Sequence, residues 1–124
     1  IPYVEGGRDS LGVDCWGLCL ICLEEYFGVQ VEAFQGISYN DGFMDNNTKV
    51  AEWIAAHMGD IFYQAEQPQV GDVILLNVCG LPIHMGFVID EGLMIHTARG
   101  HGVAVEKFLG TKWKNKIVGY YRLK

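Results

Sequence analysis

Residues 12–18 of this chain have the sequence Gly-Val-Asp-Cys-Trp-Gly-Leu, and residues 19–27 continue it as CLICLEEYF. The run of helix-forming residues begins after Asp14 and stops at Gly28, a pattern typical of a helix with an acidic N-cap and a glycine stop. Asp14 as the N-cap places Cys15 in the first turn, where unpaired backbone N–H groups and the helix dipole favour a thiolate. The pKa of a thiol in such a position falls from about 8.5 to roughly 3.5–7.5. A second interpretation stays open, in which Cys15 is a small buried hydrophobic residue.

The composition indicates one globular domain over residues 1–124, because half of the residues are hydrophobic. The net charge of −6 argues against nucleic acid or an anionic membrane surface as a partner. No apolar run approaches the roughly 18 residues of a membrane span. The one cationic cluster, Lys112, Lys114 and Lys116 around Trp113, is interpreted as a solvated loop.

The four cysteines do not have the spacing of a disulfide framework. Cys15, Cys19 and Cys22 share the predicted helix, and side chains on one helix rarely reach disulfide geometry. We therefore expect Cys19, Cys22 and Cys79 to be reduced and structural, as in a reducing compartment. A zinc site made by Cys19, Cys22, Cys79 and His84 is the alternative. We expect no metal and no cofactor, because Cys19 and Cys22 lie inside an apolar helix and no second closely spaced pair exists.

The order of the predicted elements indicates an α+β domain, with the first helix packed on a curled antiparallel sheet. Residues up to Leu11 are interpreted as irregular, and no signal peptide is recognised. A second helix is expected from about residues 45–48 to Gly59. The residues after Pro68 form the predicted strands 72–78, 84–90, 93–98, 103–107 and 116–123.

Two histidines fall on neighbouring predicted strands. If Asp90-Glu91-Gly92 is a three-residue hairpin loop with Gly92 in the left-handed conformation, residues whose numbers sum to 182 pair. His84 and His96 then share one face, with their backbones roughly 7–8 Å apart. The first helix is expected to cover them. A lone strand histidine is more often a core or surface residue, so the argument depends on Cys15 converging with both, since a thiol nucleophile needs a base and an orienting group.

Several motifs recur in one known family, in the same order. They are Pro2-Tyr3, Gly6-Gly7, Asp14-Cys15-Trp16-Gly17-Leu18, Gly71-Asp72-Val73-Ile74-Leu75, His84-Met85-Gly86-Phe87-Val88-Ile89 and Met94-Ile95-His96-Thr97-Ala98. On these motifs the chain resembles the NlpC/P60 cysteine peptidases, which have a papain-like fold and cleave cell-wall peptides. The resemblance covers nearly the whole chain.

The resemblance implies a Cys–His–His triad. Cys15 is then the nucleophile, His84 the base and His96 the residue that orients the base. Tyr3 would line the site, and the backbone N–H of Cys15, in the helix that Asp14 caps, would contribute to the oxyanion site. A buried aromatic near the terminus is the alternative for Tyr3.

Trp16 stands where cell-wall housekeeping members carry Ser. With Gly7-Arg8-Asp9, it resembles the branch associated with bacteriophage tails. Trp16 could narrow the substrate cleft or contact a partner, or it could simply be buried. We expect hydrolysis of peptidoglycan stem peptides between D-glutamate and the following diamino acid, in a phage tail and beside other tail proteins. The alternatives are a non-catalytic structural tail protein, an acyltransferase on the same fold, and a free enzyme of the bacterial cell wall.

Overall fold

The computed structural model describes residues 8–9, 12–13, 15–28, 59, 61–78, 80–98 and 102–124, with side chains for all of these but residues 8–16, 83 and 98. The elements in chain order are β1 (Arg8–Asp9), β2 (Gly12–Val13), α1 (Cys15–Phe27), β3 (Phe62–Ala65), β4 (Val73–Val78), β5 (Leu81–Asp90), β6 (Leu93–Ala98), β7 (Gly102–Lys107) and β8 (Ile117–Leu123). The strands β1 and β2 pair as a small ladder, and the other six form one antiparallel sheet in the order β3-β8-β4-β5-β6-β7.

Helix α1 has the predicted extent. It begins at Cys15 and ends at Phe27, so the prediction that Cys15 lies in the first turn is confirmed. Gly28 follows with φ 70°, and its N–H donates a 2.7 Å hydrogen bond to the carbonyl of Glu24. A left-handed residue at this position satisfies a carbonyl at the end of the helix and favours glycine.

The hairpin of β5 and β6 sets the face on which each residue lies. Gly92 has φ 70°, and the pairs Phe87↔Ile95 and Val88↔Met94 both follow the predicted sum. The register shifts by one residue between Val88 and Asp90, which is the bulge expected beside a left-handed glycine. The predicted parity is therefore correct.

The Gly-Asp pair before β4 joins three elements. Gly71 has φ 98°, and a β-carbon there would lie 2.6 Å from the Phe27 ring at the end of α1. Asp72 is buried and accepts hydrogen bonds from Arg122 Nε at 2.8 Å and Nη2 at 2.9 Å, and from the Gln69 backbone at 2.9 Å. The positive φ thus favours glycine at position 71, while the carboxylate of Asp72 connects the start of β4 to β8.

The sheet has an apolar cluster on each face. On the first face, which we call the helix face, Cys19 and Leu23 of α1 pack with Met85 and Phe87 of β5. On the second face Val88 and Met94 pack with Phe108 and Trp113, which come from the segment between β7 and β8. Residues of β4 alternate between these clusters, as predicted for a strand that is covered on both sides.

His84 and His96 lie on the second face, which we call the histidine face. Since side chains alternate along a strand, His84 shares a face with Val88 and not with Met85. The four side chains of α1 that join a core cluster, Cys19, Leu20, Cys22 and Leu23, pack on the opposite face. The expectation that the first helix covers the histidines is therefore wrong for this part of α1. The ring that lies against both histidines is Trp113.

The remaining predictions have mixed outcomes. The five predicted strands are confirmed to within three residues at each end, whereas β1, β2 and β3 were not predicted. Most of the second predicted helix and Cys79 lie outside the described residues. Cys19 and Cys22 are thiols in the helix-face core. Within the described ranges, no helix has the length and apolar character needed to cross a membrane.

Candidate active site

The two histidines of neighbouring strands form a buried pair. His84 is 9% exposed and His96 is 5% exposed. His84 Nε2 lies 2.9 Å from His96 Nδ1, and the rings are nearly perpendicular at 82°. The hairpin parity places both side chains on one face, and the hydrogen bond fixes the orientation of each ring.

A carboxylate continues this chain of hydrogen bonds into β7. Strands β6 and β7 pair with His96 opposite Ala104, so Glu106, two residues further along β7, shares the face of His96. Its Oε2 atom lies 2.5 Å from His96 Nε2. Three neighbouring strands therefore supply one connected row, His84–His96–Glu106.

The segment after β7 holds the carboxylate in place. The Trp113 indole N–H donates to Glu106 Oε2 at 2.9 Å, and Lys112 Nζ donates to Oε1 at 2.9 Å. The Trp113 ring also stacks on His84, with a centroid distance of 5.7 Å and an interplanar angle of 16°. It is nearly perpendicular to the His96 ring, at 83° and a centroid distance of 5.4 Å. One buried tryptophan thus contacts all three members of the row.

The charges in this row are set by its surroundings. The hydrogen bond from Lys112, with those from Trp113 and His96, lowers the pKa of Glu106 to about 2 although burial opposes this, so the group is a carboxylate at neutral pH. Burial, followed by the electrostatic effect of His96 and then of Lys112, lowers the pKa of His84 to about 3, whereas Glu106 acts to raise it. His84 is therefore an uncharged imidazole at neutral pH.

These hydrogen bonds assign the tautomer of each ring. A carboxylate only accepts, so the proton between Glu106 and His96 belongs to His96 Nε2. If His96 is neutral, its Nδ1 carries a lone pair and accepts from His84 Nε2–H. His84 Nδ1 is then the unprotonated nitrogen of the row, and it has the lone pair that a general base requires.

The structure describes the other predicted site residues only in part or not at all. Cys15 and Trp16 are the first two residues of α1, and their side chains lie outside the described residues. Tyr3 and Asp14 lie outside them entirely. The structure thus brings His84 and His96 together, while the contact of Cys15 with His84 stays a prediction.

Glu106 and Trp113 were missed by the sequence argument. The interpretation of Lys112 and Lys116 as part of a solvated loop overlooked that both ammonium groups lie 5.3 Å from the centre of the buried Trp113 ring. A signal for Glu106 was present, since it is the only acidic residue after Glu91. A single carboxylate inside a predicted strand beside the histidine hairpin is a candidate partner for an imidazole.

The zinc alternative finds no support in the geometry. Cys19 packs in the helix-face core, on the opposite side of the sheet from His84, and His84 Nε2 is bonded to His96. In the part of the chain that the structure describes, no three His, Cys, Asp or Glu side chains lie close enough together to hold a metal ion.

Comparison with known proteins identifies the family and the fold. A model of the NlpC/P60 family matches residues 1–122. A Listeria grayi protein named "Probable endopeptidase p60" is 26% identical over 122 residues, which are 98% of this chain and 20% of that protein. The chain therefore spans about a fifth of the length of this relative.

Three solved structures have a similar backbone. An NlpC/P60 family protein from Bacillus cereus ATCC 10987 has a TM-score of 0.64 at 21% identity, over 98% of this chain and 35% of that one. A Staphylococcus aureus Mu50 protein of the NLP/P60 family, described as similar to lipoprotein, has a TM-score of 0.60 at 17% identity, over 99% and 36%. The NlpC/p60 domain of the peptidoglycan hydrolase SagA has a TM-score of 0.57 at 19% identity, over 99% and 86%. The fold is thus α+β and papain-like, and the chain belongs to the NlpC/P60 family.

Proposed function

We propose that the chain is a cysteine endopeptidase that hydrolyses the peptide stems of peptidoglycan. The observation that carries this proposal is the buried row His84–His96–Glu106, in which Nε2 of His84 is bonded to His96 and Nδ1 takes no part in the row. A neutral, oriented imidazole is the group that a thiol nucleophile needs. Cys15, the first residue of α1, is the proposed nucleophile.

The position of Cys15 at the start of α1 supports its role as the nucleophile. Its last turn lies at the Phe87 end of β5, because the Tyr26 and Phe87 rings are 6.2 Å apart. Cys15 is eleven residues before Tyr26, about 16 Å along the helix axis at a rise of 1.5 Å per residue. The first turn is therefore about three helical turns from the Tyr26–Phe87 contact. Backbone N–H groups at the start of a helix stabilise a developing oxyanion.

The proposed reaction has two halves. His84 Nδ1 takes the proton of the Cys15 thiol while the sulfur attacks the peptide carbonyl, and the resulting imidazolium gives that proton to the leaving amine. Water then adds to the thioester, with His84 again accepting its proton, and the carboxylic acid product leaves the restored thiol. His96 holds the His84 ring throughout, and the anionic Glu106 offsets the positive charge that His84 acquires.

The choice of peptidoglycan rests on the names of similar proteins. The Listeria relative is named as an endopeptidase, and the SagA domain belongs to a peptidoglycan hydrolase. The bond between D-glutamate and the following diamino acid is proposed from the family resemblance. A cysteine endopeptidase of this kind requires neither metal nor cofactor.

We propose that the enzyme is a component of a phage tail. Trp16 in the motif after Asp14 and the net charge of −6 support a tail component better than a cationic wall-binding enzyme. On this proposal the isolated domain is weakly active and associates with other tail proteins. Strong lysis of intact cell walls by the isolated domain would instead favour a free enzyme of the cell wall.

Digestion of purified peptidoglycan, with the products identified by mass, tests the activity. Wild type should release fragments cut after D-glutamate, and Cys15→Ser should release none. Cys22→Ser is the matched control, because it makes the same change in the same helix at a half-buried thiol. Equal digestion by wild type and Cys15→Ser would refute the proposal.

Alkylation separates the two thiols chemically. Burial, and after it the charge of Glu25, raises the pKa of Cys22 to about 11, so its thiolate is scarce at neutral pH. Iodoacetamide below pH 8 should therefore modify Cys15 first, which peptide mass mapping detects. A non-catalytic tail protein that retains the fold would show no digestion.

A further inference from the structure

We propose that Glu106 is a positioning residue of the active site, which acts through His96 to fix the tautomer and charge of His84. The inference rests on the proposed function for its kinetic consequence. Its structural part, the assignment of protons along the row, can be tested without any substrate.

Glu106 accepts more side-chain hydrogen bonds than a half-buried strand residue usually does. Both carboxylate oxygens are occupied, Oε1 by Lys112 Nζ and Oε2 by the Trp113 indole and His96 Nε2. The Trp113 donor is itself buried. Because Lys112 and Trp113 hold the carboxylate in place, it presents a fixed acceptor to His96. This acceptor keeps the proton on His96 Nε2.

The tautomer of His96 decides which nitrogen of His84 can act. If the proton of His96 moved to Nδ1, His84 Nε2 would have to accept, and the proton of His84 would move to Nδ1. That nitrogen could then no longer take a proton from a thiol. Glu106 thus acts through His96 to keep the lone pair of His84 at Nδ1.

The charge of Glu106 has a second effect on the same ring. Lys112 and His96 disfavour a positive charge on His84, and Glu106 is the group in the row that favours it. Without this carboxylate, the imidazolium that forms during the reaction would face Lys112 uncompensated. We therefore expect loss of the Glu106 charge to slow proton transfer and leave substrate binding unchanged.

The substitution Glu106→Gln tests the proposal, because it keeps the shape of the side chain and removes its charge. The kcat of Glu106→Gln should fall roughly 10- to 100-fold, as for other carboxylates that orient an imidazole, with KM unchanged. Glu91→Gln is the matched control, since it makes the same change at an exposed hairpin residue. In a His96→Ala background, Glu106→Gln should cost less than in the wild type, because the part of its effect that passes through His96 is already lost.

The second readout is the ¹⁵N NMR spectrum of the histidine rings. In the wild type we expect a protonated Nε2 and an unprotonated Nδ1 on His96, and a mixture of both tautomers in Glu106→Gln. A wild-type His96 protonated on Nδ1 would overturn the proposal even if the variant did not fold. So would a folded Glu106→Gln with unchanged kcat and tautomers. If Cys15→Ser digested peptidoglycan like the wild type while the tautomers behaved as expected, the proposed function would fail and the role of Glu106 in the row would stand.

Discussion

The helix face and the histidine face of the sheet are built from alternate residues of the same strands, yet they differ in chemistry. Met85 and Phe87 point to the helix face and belong to its apolar cluster. Their neighbour His84 points to the histidine face and joins a row of polar groups beneath Trp113. The helix face carries a hydrophobic cluster, whereas the histidine face carries a hydrophobic cluster together with a row of polar groups.

The difference teaches that burial serves two purposes in this fold. On the helix face, burial removes apolar area from water, which stabilises the fold. On the histidine face, burial keeps His84 neutral and strengthens each hydrogen bond of the row, because the local dielectric is low. Substitutions on the two faces should therefore separate activity from stability.

The largest expected effect is on activity, from His84→Gln. Removing the general base should lower kcat/KM by roughly 10²- to 10⁴-fold, because proton transfer from the thiol loses its acceptor. Peptide hydrolysis assays would measure this loss, and circular dichroism would establish that the variant is folded. His96→Ala should lower kcat/KM less, since His96 orients the base and exchanges no proton with substrate. A larger loss for His96→Ala than for His84→Gln would reverse the assigned roles.

The next effect is on stability, from Met85→Ala. Met85 is fully buried on the helix face, so its truncation should lower the free energy of unfolding by about 2–5 kcal/mol. Urea denaturation would measure this change. At a temperature where the variant is folded, its kcat/KM should match that of the wild type, although His84 is the adjacent residue. Loss of activity in the folded variant would contradict the separation of the faces.

Acid should destabilise the protein through the histidine face. The pKa of His84 is about 3 when folded against 6.5 when unfolded, so the unfolded state binds more protons between these values. Stability is thus fully present above pH 6.5 and falls as the pH drops through this window, by at most about 1.4 kcal/mol per pH unit. Glu106, at about 2 when folded against 4.5, adds a loss between pH 4.5 and 2. Urea denaturation at several pH values would give the free energy of unfolding, which should fall less steeply for His84→Gln than for the wild type between pH 6.5 and 4.5. The same slope in both proteins would count against a buried neutral imidazole at position 84.

The smallest expected effect comes from Trp113→Phe. Phenylalanine retains a ring that can stack on His84 but lacks the indole N–H that Glu106 accepts. The loss of one hydrogen bond to a charged group should cost about 1.5–3 kcal/mol of stability at most, and less in activity because Lys112 still holds the carboxylate. Thermal denaturation and peptide hydrolysis would measure the two changes. A loss of activity as large as that of His84→Gln would assign Trp113 a direct part in the reaction.

Local patterns in the sequence were sufficient to predict much of the fold and two of the three members of the row. The glycine stop of α1 at Gly28 and the left-handed turn at Gly92 are properties of single residues and their neighbours. The pairing of His84 with His96 followed from the turn at Gly92, because one hairpin fixes the parity of both strands.

The third member of the row, Glu106, depends on contacts between segments that are distant in the sequence. Glu106 reaches His96 through the register of β6 on β7, and its link to Trp113 depends on how the chain returns after β7. The sequence around His84 did contain evidence against the expectation that the first helix covers the histidines. Met85 and Phe87 are large and apolar, whereas His84 alternates with Gly86 and Val88, so the former pair was the better candidate for a helix-covered face. Strand β3 was missed because its partner, β8, lies more than fifty residues away.

The distance between Cys15 Sγ and His84 Nδ1 in a crystal structure of the wild-type protein tests the central claim most directly. We expect the two atoms within hydrogen-bond reach, about 3–4 Å apart, with Nε2 of His84 still bonded to His96. A separation greater than one water molecule can bridge, with no movable segment between the atoms, would contradict the triad. So would a His84 ring turned to present Nε2 to the sulfur.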